Sequence, residues 1–290
     1  MAKYKELIKL ITAMLIFGTL SIFVRNIPLA SSELALYRAI LAVIVLTPYA
    51  LFSKNRIIFA EIKKQIPLLC VSGIAIGVNW ILLFEAYNNT TISMATLSYY
   101  FAPTVVTILC PFIFRERMRI KQIVCFCLST IGVALIIGAG TSDSKNDLVG
   151  ILFGLGAALL YAFVIILNKF ISDVTGLQRT FVQFSAAAVV LLPYVALTSG
   201  FNLTSLNAVG IVDLLIVGIV HTGLAYCLYL SAIKHLKGQQ TAILSYIDPL
   251  VAIIVSVIVL KEQIPTLWQI VGGVLILVFA IINELPRKHK

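Results

Sequence analysis

Apolar runs of membrane length follow one another along almost the whole chain, near 7–26, 34–52, 66–86, 92–114, 119–138, 148–168, 178–198, 208–231, 239–260 and 267–284. Each supplies about the 20 residues that an α-helix needs to cross a hydrocarbon core at 1.5 Å per residue, and the polar breaks between them are short. The pattern predicts an all-α polytopic membrane protein of ten transmembrane helices. The longest polar connection, Thr141 to Asp147, divides them into two sets of five. Lys3, Lys5, an apolar run and Leu29-Ala30-Ser31 loosely resemble a cleavable signal peptide. Removing that run would leave nine helices and break the internal pairing described next, so it reads as a retained first helix.

The two sets repeat each other. The stretch Ala86, Tyr100, Pro103, Val105 and Arg115-Glu116 matches Ala232, Tyr246, Pro249, Val251 and Lys261-Glu262 at a constant offset of 146. Pro48-Tyr49 answers to Pro193-Tyr194, and Arg25 to Lys169, at offsets one or two shorter, the drift that small loop insertions produce. The organisation is therefore a first five-helix repeat over 1–140 and a second over 148–290. A unit with an odd number of spans must insert upside down relative to its twin, which predicts inverted repeats.

Composition agrees, with 60% hydrophobic and 12% charged residues and a mean hydropathy of +1.04, too apolar for a soluble domain of this length. The net charge of +10 carries information through its placement. With the N-terminus in the cytoplasm, eighteen Lys and Arg fall on one side of the membrane, among them Lys3, Lys63, Arg117, Lys121, Arg179 and Lys290. Arg25, Lys145 and Lys261 fall on the other, and Arg38 lies inside a helix, which accounts for all 22. That asymmetry fits the positive-inside rule, puts both termini in the cytoplasm and makes the charge a topology signal with no nucleic-acid partner implied. The location expected is a cell membrane, with the lipid bilayer as the surrounding partner.

Polar groups inside the spans mark a site, because hydrocarbon tolerates them only against a partner or a wet cavity. Thr241, Ser245, Asp248, Ala252 and Ser256 share one face of the ninth span, and Ser93, Thr96, Tyr100, Pro103 and Thr107 one face of the fourth. Pro103 and Pro249 each free a backbone carbonyl near mid-span, and broken helices at a repeat interface are where transporters bind substrate. Depth counting puts Asp248 and His221 roughly 13 and 20 Å into their helices, both toward the centre. Their repeat counterparts are Ala102 and Ala75, so this chemistry belongs to one half. Either side chain could exchange protons if its surroundings brought it near neutrality. The same count puts Arg38 nearer the outer surface, at a depth where Glu85 or Asp213 could pair with it; the competing reading has Arg38 snorkelling to the headgroups.

Other features read as structure. Gly73-Gly77, Gly150-Gly154 and Gly272-Gly273 permit close helix contact. Thr266 with Gln269 forms a capping box for the tenth span, with Glu262 favouring the same helix start and Glu116 that of the fifth. The five cysteines lie in apolar segments and suggest neither a disulfide framework nor zinc, and no cofactor is implied. Trp80, Tyr99, Tyr100, Tyr226, Tyr229 and Tyr246 lie on the helices that carry the polar stripes, and an aromatic-lined cavity is one result that this permits.

The five-plus-five pattern, Ala102-Pro103 and Asp248-Pro249 in the fourth and ninth spans, and Arg115-Glu116 and Lys261-Glu262 at their ends resemble the ten-helix EamA type of the drug/metabolite transporter superfamily. More specific are Asn79-Trp80 through Phe84-Glu85-Ala86-Tyr87, His221-Thr222-Gly223-Leu224-Ala225-Tyr226 and Leu244-Ser245-Tyr246-Ile247-Asp248-Pro249. The resemblance implies a monomeric carrier of small metabolites, often an exporter of amino acids, with a central cavity lined by the first, third, fourth, sixth, eighth and ninth helices. The expected function is secondary transport by alternating access. Asp248 and His221 would contact substrate or a coupling proton; Tyr100, Tyr246, Ser245, Asn79, Trp80 and Tyr226 would line the site; Arg38 and Glu85 would stand nearer its mouth. A channel and an intramembrane enzyme remain as alternatives, although no HExxH occurs and only His221 of three histidines lies in a span. Epitope tags at either end should be reached by antibody only after the cells are permeabilised; a tag stained on intact cells would overturn the topology.

Overall fold

The computed structural model describes residues 2–52, 62–114, 120–138, 145–172, 174–233, 236, 244–262 and 264–284. Among these the secondary structure is helical, without strands. In order the main helices are α1 (Ala2–Gly18), α2 (Leu20–Val24), α3 (Ser31–Phe52), α4 (Ile66–Asn89), α5 (Ile92–Tyr99), α6 (Ala102–Phe114), α7 (Ile120–Gly138), α8 (Lys145–Phe170), α9 (Gly176–Leu197), α10 (Ala208–Leu215), α11 (Ala225–Ile233), α12 (Ile247–Ile254) and α13 (Leu267–Glu284). Two π-helical stretches are spliced in, π1 (Ile216–Leu224) between α10 and α11 and π2 (Val255–Val259) after α12. Among the described residues six helical segments are long and apolar enough to cross a membrane: Tyr4–Val24, Ser31–Ala50, Lys63–Asn89, Asp147–Phe170, Gly176–Leu197 and Ala208–Tyr229. Ile120–Leu135, Ile247–Val259 and Leu267–Ile282 are shorter apolar helices.

The segment predicted as one span over 92–114 is two helices, and proline explains where it breaks. Pro103 is the second residue of α6, a position in the first turn where a missing N–H costs nothing. Upstream, the chain tightens through Tyr100 and Phe101, whose amides bond the carbonyls of Thr96 at 2.9 Å and Ser98 at 3.2 Å. Pro249 lies likewise in the first turn of α12, and the helix before it stops at Tyr246. Both interruptions fall on the level of the aromatic pair Tyr100 and Tyr246, whose ring centroids are 6.2 Å apart.

Packing sorts the helices by role. The first half of the chain interleaves with the second: α4 lies against α8 and α9, α3 against α9 and π1, α1 against α11 and α12, and α5 and α6 against α8. The main core gathers Leu36, Ala39, Leu46, Phe84, Phe184 and Leu191 from α3, α4 and α9. α7 and α13 pair with each other to one side. Large apolar side chains such as Val189, Leu197, Ile258 and Val274 stay exposed on the outer faces, as helices immersed in lipid require.

Glycine sets the closest approaches. The anticipated contacts are present: a Cβ on Gly73 would stand 2.2 Å from the Gln183 carbonyl oxygen, and one on Gly273 would stand 2.7 Å from Leu97. Two unforeseen glycines matter more for the site. A Cβ on Gly218 would stand 2.4 Å from the Cβ of Leu41, and one on Gly18 would stand 2.7 Å from the Asp248 carbonyl oxygen. The bare backbone at these two positions seats α3 on π1 and α1 on α12. Gly218→Ala should therefore lower the melting temperature in detergent, with overpacking worth about 1–3 kcal/mol. Gly77→Ala, whose nearest contact would be a Leu191 methyl at 3.2 Å, should melt close to the parent; equal melting of all three proteins would contradict this account.

Candidate functional site

Where the two proline-broken segments face each other, the helices part around a cavity of about 340 Å³. Of the residues expected at the site, Asp248, Tyr100, Tyr246, Ser245, Trp80, Tyr226, Arg38 and Pro103 line it. Asp248 comes from the first turn of α12, and its carboxylate accepts a 2.7 Å hydrogen bond from the Tyr100 hydroxyl of the opposite broken segment. One polar contact thus ties the two interruptions together.

Arg38 reaches the cavity from α3 and is only 4% exposed. Its Nε donates to the Thr222 hydroxyl at 2.8 Å, and its guanidinium carbon lies 4.5 Å from the centre of the Trp80 ring and 5.9 Å from that of Phe84. Thr222 in turn donates to the Val217 carbonyl at 2.9 Å, a bond to the residue five positions back that the π geometry makes available. The expectation of an outer cluster with Glu85 or Asp213 is not met. Among the described residues the ion pairs are Lys9–Glu6 and Arg25–Glu262, Glu85 stands outside the cavity wall, and Asp213 is buried with its Oδ2 unpartnered. Snorkelling does not describe Arg38 either. Depth arithmetic gives height along a helix but not direction around it, and Arg38 points inward, where aromatic faces and a hydroxyl hold it.

His221 and Asn79 also depart from their expected places. His221, 2% exposed, has Nε2 at 3.2 Å from the Thr19 hydroxyl and Nδ1 at 3.3 Å from the Ile216 carbonyl oxygen. Its ring packs on Phe23 at 5.0 Å. It joins α1 and α2 to π1 and stands outside the cavity lining. Asn79 donates to the Ala157 carbonyl at 2.6 Å, binding α4 to α8. Pro249 is buried beside the site without lining it. Thr241 lies outside the described residues, as does Glu116, and the side chain of Thr107 is not described.

Tyr87, Tyr161, Phe17 and Ser21, also on the wall, were not among the expected site residues. Tyr161 faces Tyr99 at 5.5 Å, and Phe17 faces Tyr226 at 5.2 Å. Only the recurrence of Tyr along the spans hinted at Tyr87 and Tyr161, and nothing pointed to Phe17 or Ser21, since aromatic residues pack into ordinary cores equally well. The result is a compartment with one fixed cation, one carboxylate, phenolic hydroxyls and several ring faces. It can hold a small molecule by charge and stacking. Among the described residues no group of His, Cys, Asp or Glu is arranged to bind a metal.

One end of the bundle is fastened by a second polar cluster. Arg25, just after α2, is ion-paired with Glu262 and also donates to the carbonyls of Tyr87 at 3.4 Å and Thr90 at 3.3 Å. Glu262 accepts from the Ile92 amide at 2.8 Å and from the Ser256 hydroxyl. It therefore serves the N-terminus of α5, where charge and free amides favour a carboxylate, and not that of α13 as expected; α13 starts with the predicted Thr266–Gln269 box. Lys261, with φ of 52°, turns the chain so that Glu262 points back. Among the described residues it is the one non-glycine in the left-handed region, a conformation that costs roughly 1–3 kcal/mol.

The sequence profile of the EamA-like transporter family matches residues 5–138 and again residues 148–284. The chain belongs to the EamA-like transporter family. Similar proteins include the Uncharacterized transporter YxxF of Bacillus subtilis, 28% identical over 99% of this chain and 92% of the relative. The Uncharacterized inner membrane transporter YicL of Salmonella typhimurium is 24% identical over 90% and 88%, and Protein RarD of Escherichia coli is 28% identical over 70% and 67%. A solved crystal structure aligns with a TM-score of 0.64 over 97% of both chains at 16% identity, a likeness of fold alone. This EamA-like protein is a multi-pass cell-membrane transporter, with a small molecule as its substrate.

Proposed function

We propose that this protein is a monomeric secondary transporter that moves small metabolites, amino acids or related compounds among them, out of the cell by alternating access. The observation that carries the reading is the cavity with Arg38 and Asp248 on its wall, at the level where both segments are interrupted ahead of their prolines. Binding sites of secondary transporters have this construction. The family profile's double match, to 5–138 and 148–284, supports ten spans in two inverted repeats over 1–140 and 148–290, with both termini in the cytoplasm. In that orientation the Arg25–Glu262 cluster closes the extracellular end. Substrate then enters from the cytoplasm, and release requires this cluster to part.

Asp248 is the proposed coupling group. Its carboxylate bonds Tyr100 across the interface that must open and close, so a change of protonation would be felt by both broken segments. His221, bonded to Thr19 and Ile216, acts on packing between α1 and π1. Asp248→Asn should keep the protein folded and inserted, reduce flux in proteoliposomes by at least about tenfold and remove any pH dependence of flux between roughly pH 6 and 8. His221→Ala should cost less transport and more thermal stability. Wild-type rates with an unchanged pH profile in Asp248→Asn would show that the carboxylate serves only the backbone beside Pro249.

The closed end is tested separately. In a cysteine-free background with Ser21→Cys on the cavity wall, adding Glu262→Gln should speed labelling by an impermeant maleimide supplied from outside by several-fold, because one ion pair and one helix cap are weakened together. An unchanged labelling rate would remove the cluster from the transport cycle.

A further inference from the structure

Arg38 is a buried cation whose partners do not neutralise it. Its guanidinium cannot give up its proton, and it carries five N–H donors. Among the described residues one of these has a partner, the Nε bond to Thr222, and no carboxylate lies within ion-pairing distance. Arg38 helps to line the cavity, and its terminal nitrogens have no hydrogen-bond partner among the described residues. The Trp80 and Phe84 rings contribute cation–π attraction of about 0.5–2 kcal/mol, well short of the cost of removing an unpaired ion from water. The cavity must therefore supply what is missing, as water when empty and as a ligand group when filled.

The mounting of the side chain narrows what that group is. Thr222 accepts from Nε while donating to Val217, Trp80 covers one face at 4.5 Å, and Gly218 lets α3 approach π1 closely enough for the bond to form. Orientation is thereby set before any ligand arrives, and the two terminal nitrogens remain available to a ligand in the cavity that Arg38 lines. A planar fork held in this way suits two parallel hydrogen bonds to a carboxylate or phosphate. Asp248 is engaged by Tyr100 and leaves Arg38 available. Tyr99, Tyr161, Tyr226 and Phe17 offer ring faces to the remainder of the ligand.

We propose that Arg38 is the receptor for an anionic group, carboxylate or phosphate, on the transported molecule, and that Thr222 is its positioning residue. The inference rests on the transporter reading and adds a substrate class to it. Every cargo that uses this site carries a negative charge near an apolar or aromatic body.

Trp80 provides the readout. The chain has two tryptophans, and Trp268 is 59% exposed on α13, so Trp268→Phe leaves Trp80 as the sole emitter, directly against the guanidinium. The purified protein is titrated with phenylacetate, phenyl phosphate and the neutral isostere phenylacetamide up to ~10 mM, a range that covers fragment-strength binding. At least one anion should change Trp80 emission saturably, at least about tenfold more tightly than the amide, and the two anions rank carboxylate against phosphate. Arg38→Gln should abolish the response. Arg38→Lys, which keeps the charge and loses the fork, should weaken it, and Thr222→Val should weaken it with the arginine intact. If Arg38→Gln does not fold, the anion-to-amide comparison and the lysine variant decide. Equal responses to amide and anions, no saturable response to either anion, or a response that survives Arg38→Gln overturns the proposal. Flux is measured in parallel on a metabolite panel. Anion binding without flux of any compound removes the transporter reading and leaves the site; flux indifferent to Arg38→Gln removes the site and leaves the transporter.

Discussion

A charged or hydrogen-bonding group buried in hydrocarbon must find a partner or water, and the interior of this protein is arranged around that requirement. The ion pair at one end, Arg25 with Glu262, is joined to the surrounding backbone, Arg25 through the carbonyls of Tyr87 and Thr90 and Glu262 through the amide of Ile92. The charges at mid-height are treated differently. Among the described residues Arg38 and Asp248 each have a single neutral hydrogen-bond partner, Thr222 and Tyr100, and they share a cavity instead of a salt bridge. The end is held by a direct ion pair, whereas the two charges in the middle face a shared cavity.

Irregular backbone is what makes the middle possible. Between its ends, a regular α-helix satisfies its own amides and carbonyls and leaves little for a ligand or a neighbour. Here the prolines stop two helices opposite each other, and the π-helical stretch opens carbonyls to Thr222 and His221. π-bulges are rare and concentrate at functional sites. In this molecule π1 supplies Thr222, the one hydroxyl that fixes the Arg38 fork, and π2 ends at the strained Lys261 turn that delivers Glu262. Each π segment therefore leads directly to one of the two charged centres.

The small residues complete the arrangement by setting distance. Gly18 brings α1 against α12 beside Asp248, and Gly218 brings α3 against π1. Without these approaches the polar partners would face each other across gaps that lipid tails or stray water would fill. The same two contacts join the first half of the chain to the second, so the site and the seam between halves are built from one set of interactions.

Much of this was legible in the chain itself. Hydropathy alone determined a polytopic helical membrane protein, because the hydrocarbon accepts little else, and motifs such as Ala102-Pro103 and Asp248-Pro249 pointed to the transporter family and to Tyr100, Tyr246 and Asp248 as candidate site residues. Proline made the interruptions predictable, since it alters the backbone locally whatever surrounds it. The tertiary structure alone decided which way each side chain points around its helix. It turned Arg38 away from Glu85 and Asp213 and toward Thr222 and Trp80, set His221 and Asn79 to packing, and carried Glu262 to α5. Height along a helix is a property of sequence position, whereas azimuth depends on how neighbouring helices rotate to interlock. Register shifts such as a π-bulge change that rotation with no mark in the local residue pattern.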